Sequence, residues 1–144
     1  MRILQLPGWA RPRGDANGES VTGRQIFVAG MIGWDGQRVL NSDGLGARVA
    51  QALRNAVAVL KEADAGPGQT LRMTVRMTVR MTRCLIDKHA RLAVSREIGV
   101  VLRQTIGHCH ALMTAVQVTA LLEDRAQVAI EVTAVVPKPS LARA

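Results

Sequence analysis

The chain has 144 residues, 48% of them hydrophobic, and carries a formal charge of +8. The length admits a single domain spanning 1–144, with a core over about 20–137. No apolar run approaches the ~18 residues of a membrane span, and the opening MRILQLPGWARPRG lacks the apolar stretch of a secretory leader. The expectation is a soluble, cytoplasmic protein with no membrane partner.

Residues 1–19 hold Gly, Pro, Arg and Asp with little periodicity and read as an irregular arm. In SVTGRQIFVAGMIG (20–33), a turn at Thr22-Gly23 leads into a strand. Its apolar run Ile26, Phe27, Val28, Ala29 suits a strand covered on both faces. Asp35-Gly36 supplies the next turn.

SDGLGARVAQALRNAVAVLKEAD (42–64) predicts a helix. Leu45, Val49, Leu53, Val57 and Leu60, with Ala52 and Ala56, fall on one stripe. Ser42 or Asp43 is placed to cap its start. Pro67, within Asp64–Gly68, bars its continuation.

RMTVRMTVRMT (72–82) is a tetrapeptide written almost three times, with Met and Val alternating against Arg and Thr. Period two predicts a strand. Eleven residues would span about 36 Å against an ordinary ~17–20 Å. A slip of four residues reproduces the same side chains, so register is weakly fixed. Residues 72–79 read as a tandem duplication that overruns the neighbouring strands or leaves the sheet. Arg72, Arg76 and Arg80 then form a solvated row, at the rim or on the helix side.

Asp87 is placed to cap a second helix over 88–104, which Gly107 stops. MTAVQVTALL (113–122) and QVAIEVTAVV (127–136) predict two strands joined by the polar turn Glu123-Asp124-Arg125. Residues 138–144 read as a tail. The order is β-β-α-β-α-β-β, and two singly amphipathic helices require a common sheet face. The fold class is therefore α+β, a mixed sheet with both helices on one side. Its other face is left bare; Val and Met line one side of the strands, and an apolar area of that size favours an oligomer that stacks those faces.

The basic charge raises nucleic acid as a partner. Trp9, Phe27 and Trp34 are the only aromatics and the basic residues are scattered, which argues against a base-stacking platform. Two cysteines, Cys84 and Cys109, do not make a disulfide framework. In His108-Cys109-His110 the two histidines share a strand face, which suits two metal ligands, but no third ligand stands nearby. Gly44-x-Gly46 is too short for a phosphate loop.

FVAGMIGWDG (27–36), AQALRNAVAVLKEADAG (50–66) and TAVQVTALLEDRAQVAIEVTAVVP (114–137) together resemble the RidA family, also called YjgF, in the expected order over about 14–137. The resemblance implies a chorismate-mutase-like fold and a homotrimer. It further implies a small-metabolite cleft between subunits, and hydrolysis of enamines or imines to keto acids and ammonia without metal or organic cofactor. It puts Met113 where the deaminating members carry a carboxylate-binding Arg, and Ala129 where they carry a catalytic Glu. Glu131, two residues on, is the remaining acid on that strand face. The cleft set so implied is Ala29, His108, Cys109, Met113, Thr114 and Ala129, with Glu131 orienting water. A binding module without turnover is the rival reading. An RNA-binding or RNA-cleaving protein, motivated by charge alone, is a third.

Overall fold

The computed structural model describes residues 2–12, 16–40, 44–65, 78–107 and 110–137. In chain order the elements are β1 (Arg2–Leu4), β2 (Gly18–Ser20), β3 (Gly23–Met31), α1 (Leu45–Glu62), β4 (Thr78–Leu85), α2 (Lys88–Ala93), α3 (Ser95–Ile106), β5 (His110–Gln117) and β6 (Val128–Pro137). The fold is mixed α+β, as the patterning predicts.

The arm is not irregular throughout. Arg2–Leu4 pairs antiparallel with Gly18–Ser20 in a two-stranded sheet of its own. Three-residue strands are too short for periodicity to reveal.

The main sheet runs β3-β6-β4-β5. β6 is antiparallel to both neighbours, whereas β4 and β5 are parallel. The predicted turn between the last two strands therefore does not close a hairpin. A parallel β4–β5 pair needs a crossover, which α2 and α3 supply, and the 118–127 connection carries β6 past β4 to the slot beside β3. Val118 N–H bonds to the Leu85 carbonyl at 2.7 Å and Ile86 N–H to that of Gln127 at 3.2 Å, which fixes both ends of that connection.

Alternation decides the two faces of the sheet. Val128, Ile130, Val132 and Ala134 of β6, Met81 and Leu85 of β4 and Val28 of β3 are buried against the helices. They form one core with Val49, Ala52, Leu53, Ala56, Val57 and Leu60, the stripe read from the sequence. The opposite face carries Phe27, Arg80, Thr114 and Glu131, all exposed, and the half-buried Thr82. Val and Met thus line the covered side, and the uncovered face, expected to be apolar, carries a cation, a carboxylate and two threonines instead. Arg80 lies there too, away from the helices, because its neighbour Met81 is fully buried under them.

Gly44, at φ 84, occupies the N-cap position of α1 without a side-chain cap. Ser42 and Asp43 lie outside the described residues. At the other end Asp64 adopts φ 52. Ala65 N–H reaches the Leu60 carbonyl at 2.9 Å and Asp64 N–H that of Lys61 at 3.0 Å, closing the helix with a left-handed residue. Ala65 is buried, so the same turn seals the core.

The predicted helix 88–104 is two helices broken at Val94. Asp87 caps α2, its Oδ1 accepting from His89 N at 2.8 Å and Ala90 N at 3.1 Å. Ser95 then donates its hydroxyl back to the Leu92 carbonyl at 2.9 Å. Such back-bonding offers the backbone an alternative to helix continuation. Of the repeat, Thr78–Thr82 lies within the central strand β4, and 72–77 fall outside the described residues.

Candidate functional site on the open sheet face

Four strands converge on one row of residues. β3 and β6 pair regularly from Gly23↔Pro137 to Val28↔Val132, and resume at Met31↔Ile130. Ala29 and Gly30 therefore lie opposite Glu131 alone, which is a β-bulge. Bulges re-aim side chains and are over-represented beside active sites. Glu131 pairs with Thr82 of β4, and Thr82 with Thr114 of β5. The row is thus Ala29–Gly30, Glu131, Thr82, Thr114. It sets a carboxylate beside two hydroxyls on a solvent-facing surface, with acceptors and donors enough to hold a water.

Ala29, Thr114 and Glu131 fall in this one row, and Thr82 joins them unannounced. Ala129 lies one pleat further along the same face, opposite Cys84. It is half-buried against Ile32, Leu40 and Ala126. In the other direction Phe27, Thr133, Arg80 and Leu112 form the next row. Phe27 is 73% exposed.

Met113 projects from the other face. It pairs with Met81 and packs half-buried against the helix-side core, at the edge strand. His108 and Cys109 lie outside the described residues. Among the described residues no group of three His, Cys, Asp or Glu is placed to hold a metal ion.

The turn after β3 is pinned to α1. Asp35 Oδ1 accepts from Gln37 N at 2.9 Å and Val39 N at 3.0 Å. Asn55 of α1 donates its side-chain Nδ2 to the carbonyls of Ile32 at 3.1 Å and Trp34 at 2.8 Å. Trp34 also underlies Arg38 at 5.5 Å from ring centre to guanidinium. Gly33 is required in between, since a Cβ there would stand 2.9 Å from the Arg48 backbone. Asn55→Ala removes both bonds and leaves two carbonyls to water. The expected loss is about 2 kcal/mol in urea unfolding, with faster amide exchange in the loop that carries Val39.

Arg83 is the polar residue that patterning does not announce. It stands on the helix side of β4 between Met81 and Leu85, where the repeat would place Val, and is only 6% exposed. Its Nε and Nη1 are buried without a hydrogen-bond partner. Burial first, and the Arg91 charge second, push its guanidinium below the ordinary arginine pKa. An uncompensated buried charge costs roughly several kcal/mol. The available signal was alternation itself: Met81-Thr82-Arg83-Cys84-Leu85 sets a cation where period two demands an apolar residue.

The family model described as endoribonuclease L-PSP matches residues 16–136. The chain belongs to that family, the one that includes RidA and YjgF. Similar solved structures include YyfB of Yersinia pestis, a Rid-family protein of unknown function. It is 25% identical with TM-score 0.71, over 94% of this chain and 98% of that one. Rv2704 of Mycobacterium tuberculosis, from the YjgF/YER057c/UK114 family, is 28% identical with TM-score 0.57, over 80% and 81%. TdcF of E. coli, at 21% identity and TM-score 0.61 over 94% and 98%, shares the fold. No curated protein matches the chain. No helix among the described residues of this Rid protein is long and apolar enough to cross a membrane.

Proposed function

We propose that the chain assembles as a homotrimer and holds a small metabolite in the clefts between adjacent subunits. There it hydrolyses an enamine or imine to the keto compound and ammonia. Glu131 orients the water that adds to the imine carbon. Protons move through the Glu131 carboxylate, and the C–N bond breaks to release ammonia. Backbone N–H groups near Thr114, on the edge strand β5, hold the ligand's oxygen. His108, Cys109 and Ala129 complete the wall, with Met113 behind it on the helix side of the edge strand. The reading requires no cofactor and places the protein in the cytoplasm.

The observation that carries this is the row Ala29–Gly30, Glu131, Thr82, Thr114, with a bulge aimed at the only carboxylate among them. The exposed Phe27 one row away supports association through the same face. Sedimentation at micromolar concentration is expected to give three times the 15.5 kDa of one chain. A stable single chain would remove the cleft, and the reading with it.

Binding without turnover is the second reading. Met113 and Ala129 favour it, because neither side chain binds an anion or moves a proton. Thermal stabilisation by a keto acid, with no ammonia released from freshly generated 2-aminoacrylate, selects it. RNA cleavage, which the family description names, predicts affinity that falls steeply with salt. Flat salt dependence or no RNA retention removes it.

A further inference from the structure

We propose that Arg83 and Arg91 form a binding site for a small oxyanion, entered at the β5 edge beside Ala115. This goes beyond the hydrolytic reading and stands on the residues of one subunit.

Arg83 is nine-tenths buried, and two of its three nitrogens lack a partner. Buried charges are ordinarily paired. Among the described residues, the charge that acts on Arg83 is Arg91, of the same sign. A buried guanidinium with unpartnered nitrogens, repelled by a second arginine, is a site that an anion would complete. Arg91 is itself oriented: its Nη1 donates to the Ser95 hydroxyl at 2.8 Å. Ser95 also lines an open concavity at the α2–α3 break.

The way in follows from the sheet. Arg83 is flanked by Ile130 on the interior side and Ala115 on the edge side. Ile130 is fully buried, whereas Ala115, on the same helix-facing side, is exposed. The helical cover thins over β5, where the small Ala115, paired with Arg83, is exposed. Met113, half-buried on that same side, gives the ligand an apolar neighbour.

The shared chemistry is a compact group of two or more oxygens bearing one or two negative charges, which guanidinium donors bind strongly. A small organic acid and free phosphate both supply it. The test titrates the full chain with 2-oxobutanoate and, separately, with inorganic phosphate, using sodium chloride at matched ionic strength as control. Binding is read by calorimetry and by the shift in Tm.

At least one oxyanion is expected to bind saturably, and the stronger of the two identifies the source. Arg83→Met is expected to weaken that binding about tenfold or more. Its ligand-free Tm should equal or exceed the parent's, because an apolar replacement removes an uncompensated buried charge. Arg91→Gln, at a half-buried position, should weaken binding by about threefold to tenfold. It decides the matter if Arg83→Met fails to fold. No response beyond chloride, or variants that bind as the parent does, would overturn the site. Sedimentation of the same samples reports the trimer separately, so the two proposals fail independently.

Discussion

Glu131→Gln is expected to lower ammonia release from freshly generated 2-aminoacrylate by about 100-fold or more, in the range for loss of a positioned general acid–base group. The amide keeps the size and most hydrogen-bond geometry of the carboxylate but cannot take up a proton. KM should therefore move by less than about threefold, which assigns the loss to the chemical step rather than to binding. Thr82→Val, which deletes the neighbouring hydroxyl in the same row, should give a smaller loss. A Glu131→Gln protein that turns over at the parental rate would strip the carboxylate of its role and leave the binding reading in place.

Leu53→Ala is expected to cost about 3–5 kcal/mol of stability. Leu53 is completely buried at the centre of the α1 stripe and belongs to the single core that joins α1 to the sheet. The substitution removes the transfer free energy of the side chain and leaves a void that β3 and β6 cannot both close. Against a usual total of about 5–15 kcal/mol, that is a large share. The midpoint of urea unfolding at fixed protein concentration should fall with little change in slope. A shift under ~1 kcal/mol would mean that the helix layer repacks freely, contrary to the tight interior described above.

Much of this architecture is legible in local pattern. The α1 stripe, from Leu45 to Leu60, is buried as its spacing predicts, and the alternation 128–136 assigns both faces of β6. Asp87 caps where an Asp before a helical stretch should. Period and capping are local properties, so one sequence suffices. Strand order is not local. The polar turn 123–125 suggests a hairpin, yet β6 pairs with β3 and β4. The cause is the parallel β4–β5 pair, whose edge position is set by the crossover helices rather than by residues in either strand.

The candidate site divides in the same way. Ala29, Thr114 and Glu131 converge because three separate registers align, and resemblance to RidA proteins supplies that where periodicity does not. Met113 falls on the opposite face from Glu131 because strand parity separates an odd residue of β5 opposite Met81 from an odd residue of β6 opposite Thr82. Arg83 continues the run of arginines from the repeat but three residues after Arg80, which changes its parity and so its face of the sheet. Arg80 is exposed on the open face, whereas Arg83 is buried under the helices.

The slot that β6 fills has a consequence for how the molecule is made. As synthesis proceeds, β3 and β4 emerge with no partner for the edges they will share, and they wait through both crossover helices and β5. Until about residue 137 leaves the ribosome, two strands present unpaired amides and carbonyls, one of them continuous with a Met-Thr-Val-Arg array that can match itself at several offsets. The nascent chain is therefore most prone to sticking to its siblings just before β6 emerges. Arrested fragments that stop short of Val128 should depend on chaperones far more than their small size would suggest.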